Sequence, residues 1–255
     1  MLPRQDSPIH VGKDGKRMLL VPAGWFLMGT DEADAVAMEA SFGWKREWFA
    51  DETPQHRVYL DAFYIDETPV TNAEYKRFLD AKPRYPVPDG WDKTWRTFLI
   101  GRGDHPVVCV SWADANEYAQ WAGKRLPTEA EWEKAARGTD GWLFPWGNHF
   151  DPTRFNSNVS NIGKTTPVTK YAPLGNSPYG VIDMAGNVWE WCADWYDAEH
   201  YKISPTQNPQ GPDSGDWRVL RGGAWDSAPD YARTANRDYI SPESGYTTVG
   251  FRCVE

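Results

Sequence analysis

The chain predicts an α+β fold, loop-rich and built as one domain. Three observations point there. Helix signals cluster between residues 71 and 138, while the rest of the second half reads as short strands, turns and aromatics. Strand and helix signals do not alternate in the βαβ order that a doubly wound sheet needs. The composition is heavy in rings: 15 Trp, 12 Tyr and 10 Phe stand beside 22 Gly and 20 Pro in 255 residues. Large rings bury much area per residue, so they can organise irregular backbone with few regular elements. At this length a single body buries about 70–75% of its unfolded surface and needs no disulfide or metal staple.

In chain order, residues 18–29 are two apolar runs around Pro22-Ala23-Gly24, a strand–turn–strand signal. We place the domain over 18–255, with 1–17 as an N-terminal extension. Residues 31–52 hold seven acids (Asp31, Glu32, Asp34, Glu39, Glu47, Asp51, Glu52) against Lys45 and Arg46, and read as a solvated loop. Residues 56–65 have strand composition. Thr71 and Glu74 form a capping box that opens a helix through Leu79. A second helix opens at Ser111, with Asp114 three positions on, and closes at Gly123. Its inner residues are Trp112, Ala115, Ala119 and Ala122. A third runs from Thr128 to Gly138, with acids in its first turn and bases in its last, as the helix dipole favours. Its shortness suggests packing on one face only. Beyond residue 139 come short strands over 188–191, 218–223 and 249–254.

Charge and motif narrow the function. Lys and Arg number 27 against 36 Asp and Glu, giving −9, and the bases never form a run longer than a pair, as at Lys16-Arg17, Lys45-Arg46, Lys76-Arg77 and Lys124-Arg125. Such a surface repels polyphosphate and argues against nucleic acid. No apolar run approaches the roughly 20 residues that cross a bilayer, and no apolar signal segment opens the chain. The expectation is therefore a cytoplasmic protein, or an extracytoplasmic one if a leader has been processed away, with no membrane partner. Cys109, Cys192 and Cys253 match neither a zinc pattern nor a CxxC pair, which favours a reducing compartment. Rossmann, Walker, HExxH and GxSxG motifs are all absent.

Two segments stand out. Asp183 and Glu190 flank a Gly186-Asn187 turn, and two carboxylates plus turn carbonyls suit a hard cation such as Ca²⁺. The same acids would equally cap backbone N–H groups in a tight loop. Residues 222–239 mix Trp, Asp, Tyr and Arg without helical or strand period, as surface loops do. They read either as a binding surface or as a salt-bridged loop without a ligand.

The series VPAGWFLMG, ETPVTNAEYKRFL, HPVVCVSWADANEYAQWAGKRLPTEAEWEKAARG, FPWGN, TTPVTKYAPLGNSPYGVIDMAGNVWEWCADWY, VLRGGAWDS and GFRCV resembles the formylglycine-generating enzyme (sulfatase-modifying factor) family. The resemblance runs from residue 18 to residue 254. It implies a C-type-lectin-like fold with a small twisted antiparallel sheet, two or three short helices and bound calcium. One calcium set would be Asp183, Gly186, Val188 and Glu190. The other would be Asn156, Ser157, Ser160 and Ile162, where Ser160 replaces the acid common in the family.

The family's catalytic cysteine pair, which binds copper, falls here on Ser227 and Ala232, so neither copper nor formylglycine formation by that route is expected. The family's iron-dependent sulfur-transfer branch needs an H-x-x-x-H-x-E pattern that this chain lacks. The leading expectation is a calcium-stabilised module for a protein or small-molecule ligand. Its surface would comprise Trp225, Asp226, Ser227, Asp230, Tyr231, Arg233, Arg237, Asp238 and Tyr239. Two alternatives accompany it: an oxidoreductase-type enzyme acting on a peptide or small thiol without cysteines, and a variable protein of a diversity-generating retroelement.

Overall fold

The computed structural model describes residues 9–88 and 101–255; the first eight residues of the extension lie outside the described residues. Its elements are β1 (Ile9–Val11), β2 (Arg17–Val21), β3 (Gly24–Met28), α1 (Glu32–Phe42), β4 (His56–Leu60), β5 (Phe63–Asp66), α2 (Asn72–Ala81), α3 (Trp112–Trp121), α4 (Glu129–Arg137), β6 (Trp189–Trp195), β7 (Arg218–Arg221), β8 (Asp238–Ile240) and β9 (Val249–Gly250). Long irregular segments join the late strands, as the Gly, Pro and Trp content leads one to expect. No helix among the described residues is long and apolar enough to cross a membrane.

Three small sheets carry the strands, in the orders β1-β2-β5, β3-β4 and β8-β7-β6-β9. All pairings are antiparallel except β6 with β9. The two runs around Pro22-Ala23-Gly24 are therefore strands, but not a hairpin: the turn sends β3 away from β2 to a partner of its own. Residues 9–17 of the extension are part of the body, because β1 pairs with β2 and Asp14 forms a buried ion pair with Lys124 at 2.8 Å.

The capping boxes at Thr71, Ser111 and Thr128 are present with both reciprocal bonds. The acidic stretch differs from expectation: its first half is α1. The Asp31 side chain accepts from Ala33 N, Gly43 closes the helix at φ 72°, and Ala35 and Met38 are buried against Phe49. A 3₁₀ segment, Arg46–Glu52, follows. The described residues thus hold four α-helices rather than two or three.

The helix α4 departs furthest from expectation, since every one of its residues is buried. Most of its charges are matched inside the protein instead of facing water, Glu131 excepted, whose partner Arg125 is half exposed. Glu131 pairs with Arg125, and Glu133 takes Arg137 at 2.6 Å, Arg221 and the Gly29 N–H at 2.7 Å. Lys134 donates to the Pro22 and Gly24 carbonyls, and burial lowers its ammonium to about 8. Around α4 the largest apolar cluster gathers β2, β3, β4 and β5 with Trp132, Met184, Cys192 and Val219. A second cluster holds α2 and α3 against Trp191, Leu220 and Phe251.

Candidate functional site

The loops between β7 and β8 are built outward from a buried base. Gly222 must be glycine: at φ 99° its added Cβ would meet the Trp132 ring at 3.0 Å. Two residues of the expected surface belong to that base and not to the surface. Arg233 is 1% exposed and holds both Glu52 carboxylate oxygens at 2.7 Å, with its guanidinium 4.2 Å from the Phe49 ring. Arg237 is buried between Tyr196 and Tyr201 and bonds the Glu129 carboxylate at 2.8 and 3.1 Å. A buried guanidinium needs a carboxylate and further acceptors: Arg237 has the Glu129 carboxylate and the Asp51 and Asp197 carbonyls, whereas Arg233 has the Glu52 carboxylate and leaves its Nε without a partner. Both arginines therefore position the loops.

The other seven reach solvent at least in part. Trp225 is half-buried, with its N–H donating to Asn187 O and its indole donating to Thr247 O. Asp226 is exposed. Tyr231 is 40% exposed and meets Trp189 edge-on with centroids 5.8 Å apart. Its hydroxyl is raised by burial, then by the charges of Asp230 and Asp238. Burial likewise raises the Asp230 carboxyl. Asp238 is raised by burial and by Asp51.

Sequence reasoning missed three neighbours of this surface: Tyr196, Trp217 and Asp51. Tyr239 stacks on Tyr196 with centroids 3.9 Å apart, and Trp217 lies 5.1 Å from Tyr239. The Tyr196 hydroxyl donates to Asp51 at 2.8 Å. Cross-strand register brings these rings together, and no local motif announces it.

At the two positions where the resemblance would put the family's cysteine pair, Ser227 Oγ accepts from the Ala224 N–H at 3.1 Å, and Ala232 is buried against Phe155 and Ala185. The chain's thiols lie elsewhere. Cys192 and Cys253 are buried, and burial pushes both well above the ordinary thiol range. Cys109 is half-buried, and its N–H donates to Tyr246 O.

The two implied calcium sets sit side by side, since Asn156 bridges to Gly186 and its carbonyl accepts from Asn187 N. In the first set the Asp183 carboxylate accepts from the Asn187 amide at 2.7 Å, and burial raises its carboxyl to about 8. A cation beside it would relieve that desolvation. Glu190 accepts from Arg252 at 2.6 and 2.7 Å and from the Trp132 indole at 2.8 Å, so it already has one cationic partner. Two carboxylates and two turn carbonyls fit a hard divalent cation in donor type. The second set fits poorly. It contains no carboxylate, and its side chains satisfy one another: Ser160 Oγ donates to Asn156 Oδ1 at 2.8 Å and approaches Ser157 O at 2.7 Å. Among the described residues no group of three or more His, Cys, Asp or Glu is placed to hold a metal.

Comparison with known proteins agrees with this architecture. The chain is 40% identical to the formylglycine-generating enzyme of Streptomyces coelicolor, over 98% of its own length and 92% of that enzyme's. It is 39% identical to the serine/threonine-protein kinase pkn1 of Chlamydia caviae over 93% of its own length, but spans only 38% of the kinase. Among solved structures, PvdO from Pseudomonas aeruginosa superposes with a TM-score of 0.77 at 26% identity, covering 98% of each chain. Treponema denticola variable protein 1 follows at 0.73 and 25%, covering 98% of this chain and 99% of its own. Residues 5–255 match the family described as the sulfatase-modifying factor enzyme 1-like domain, and the chain belongs to that family, with its α+β, loop-rich, C-type-lectin-like fold.

Proposed function

We propose that the protein is a ligand-binding module on the sulfatase-modifying factor scaffold, stabilised by Ca²⁺ and working without thiolate-held copper. The observation that carries this reading is the chemistry at Ser227 and Ala232. A hydroxyl bonded to backbone and a buried methyl cannot hold Cu(I), which calls for soft thiolates. The same stretch of chain carries exposed Tyr231, Tyr239 and Asp226 and half-buried Asp230, residue types of the kind that make adaptable binding faces. The likeness to a structure titled a variable protein supports the same reading. Calcium belongs at Asp183 and Glu190, with the Gly186 and Val188 carbonyls completing the donor set; the second set takes no part.

The test is an anaerobic Cu(I) titration, followed by incubation with oxygen and a cysteine-containing sulfatase peptide. No stoichiometric tight copper and no aldehyde are expected. Formation of the aldehyde overturns the proposal.

A further inference from the structure

Three adjacent strands deliver three rings to one edge of the largest sheet. Tyr196 follows β6, Trp217 precedes β7 and Tyr239 lies on the edge strand β8. The Tyr196 N–H donates to Trp217 O at 2.8 Å, which fixes the first two side by side. The stacked Tyr196–Tyr239 pair and the tilted Trp217 make one continuous aromatic ledge. Burial would ordinarily claim such rings, yet Trp217 is 45% exposed and Tyr239 is 39% exposed.

Two carboxylates border the ledge. Asp51 accepts from the Tyr196 hydroxyl, and Asp238 accepts from the Tyr239 N–H at 2.7 Å. Asp238 forms no ion pair with Lys or Arg among the described residues, while the Arg237 guanidinium donates to the Asp51 backbone carbonyl at 2.8 Å and acts on the Asp51 carboxylate from within. Aromatic faces and carboxylate edges together complement a flat cation.

The protein itself shows what such surfaces hold. Inside the same sheet, Arg218 lies between the Trp112 and Trp195 rings at 4.0 and 3.5 Å. On the inner side of the ledge, Arg237 stacks on Tyr196 at 4.9 Å. A guanidinium stacks on rings and bonds carboxylates with its edge, which a compact ammonium does less well.

We propose that the ledge of Tyr196, Trp217 and Tyr239, bordered by Asp51 and Asp238, receives an arginine side chain of a partner polypeptide. This rests on the binding-module reading and names the chemistry of its ligand. The overall charge of −9 favours the encounter with a basic partner.

The test uses the full chain and a fluorescein-labelled (Gly-Arg)4 peptide, read by fluorescence anisotropy. Companion arms use (Gly-Glu)4 and cellohexaose. Wild type should bind (Gly-Arg)4 alone, and more weakly as salt rises. Trp217→Ala and Asp238→Asn should each weaken binding about tenfold or more. Both residues reach solvent, so unchanged melting curves would show that the variants remain folded. Glu32→Gln with Glu39→Gln removes charge from α1 instead, and should leave affinity within about twofold. Absence of (Gly-Arg)4 binding, or binding that ignores Trp217→Ala and Asp238→Asn, overturns the proposal. Cellohexaose binding lost in Trp217→Ala would overturn the arginine assignment and leave the binding module standing. Aldehyde formation in the copper assay would instead overturn the module.

Discussion

Asp194 shows how a single buried group sets a pH dependence. It lies in β6 and accepts the Glu129 N–H at 2.8 Å. Burial, then the charge of Glu129, raises its carboxyl from 3.8 to about 8. A raised carboxyl binds its proton more tightly in the folded protein than in the unfolded chain. Its contribution to stability is therefore full below its unfolded value of 3.8 and is lost as pH rises through about 8. Asp194→Asn keeps an oxygen for the Glu129 N–H and removes the titration. At alkaline pH the variant should be more stable than wild type by about 1–2 kcal/mol, with the gap closing in acid. Urea unfolding at several pH values reads this directly. A variant less stable at alkaline pH would mean that the ionised carboxylate is favourably held.

At the scale of elements, α4 is a charged helix turned inward. Glu133 joins two arginines, Arg137 within the helix and Arg221 from β7, while accepting the Gly29 N–H ahead of α1. Glu133→Gln leaves the buried Arg137 without a carboxylate and Arg221 with only its 3.4 Å pair to Glu129. It should cost about 3–5 kcal/mol in urea unfolding, against less than about 1 kcal/mol for Glu32→Gln, whose pair with Arg46 is exposed. Equal effects would show that Glu133 does not hold the network together. The helix itself was legible because a capping box lies within four residues: Thr128 and Glu131 announce it. Its burial was not, because the partners Arg221 and Arg237 lie 88 and 108 residues away from Glu133 and Glu129. Distance in sequence also hid the role of Arg233, whose Glu52 partner is 181 residues away. The helix α1 was masked by its own acids, which resemble a solvated loop unless Asp31 and Gly43 are read as its two caps. On the candidate surface, Tyr231, Asp238 and Tyr239 were readable from residue type, while Tyr196 and Trp217 needed the strand register.

Over the whole molecule, the sheet β8-β7-β6-β9 is the shared wall of both large cores. Cys192 and Val219 face the cluster around α4, and their neighbours Trp191 and Leu220 face the cluster of α2 and α3. Neither core can melt without stripping one face of that wall, so a single cooperative transition is expected. The Asp183–Glu190 turn leads directly into β6, and Arg252 ties its carbonyls at Ile182 and Asp183 to Glu190. Calcium held there would brace the wall and should move the entire transition without splitting it. At a free concentration 100-fold above Kd, a ligand of the folded state adds about 2.7 kcal/mol. For a chain of this size that raises Tm by roughly 5–10 °C. Melting curves followed by Trp fluorescence and by far-UV circular dichroism should coincide with calcium and with EDTA, displaced by that amount. Asp183→Asn should abolish the displacement while leaving a single transition. A Tm indifferent to EDTA would remove calcium from the proposal, and two probes melting apart would show that the wall does not couple the cores.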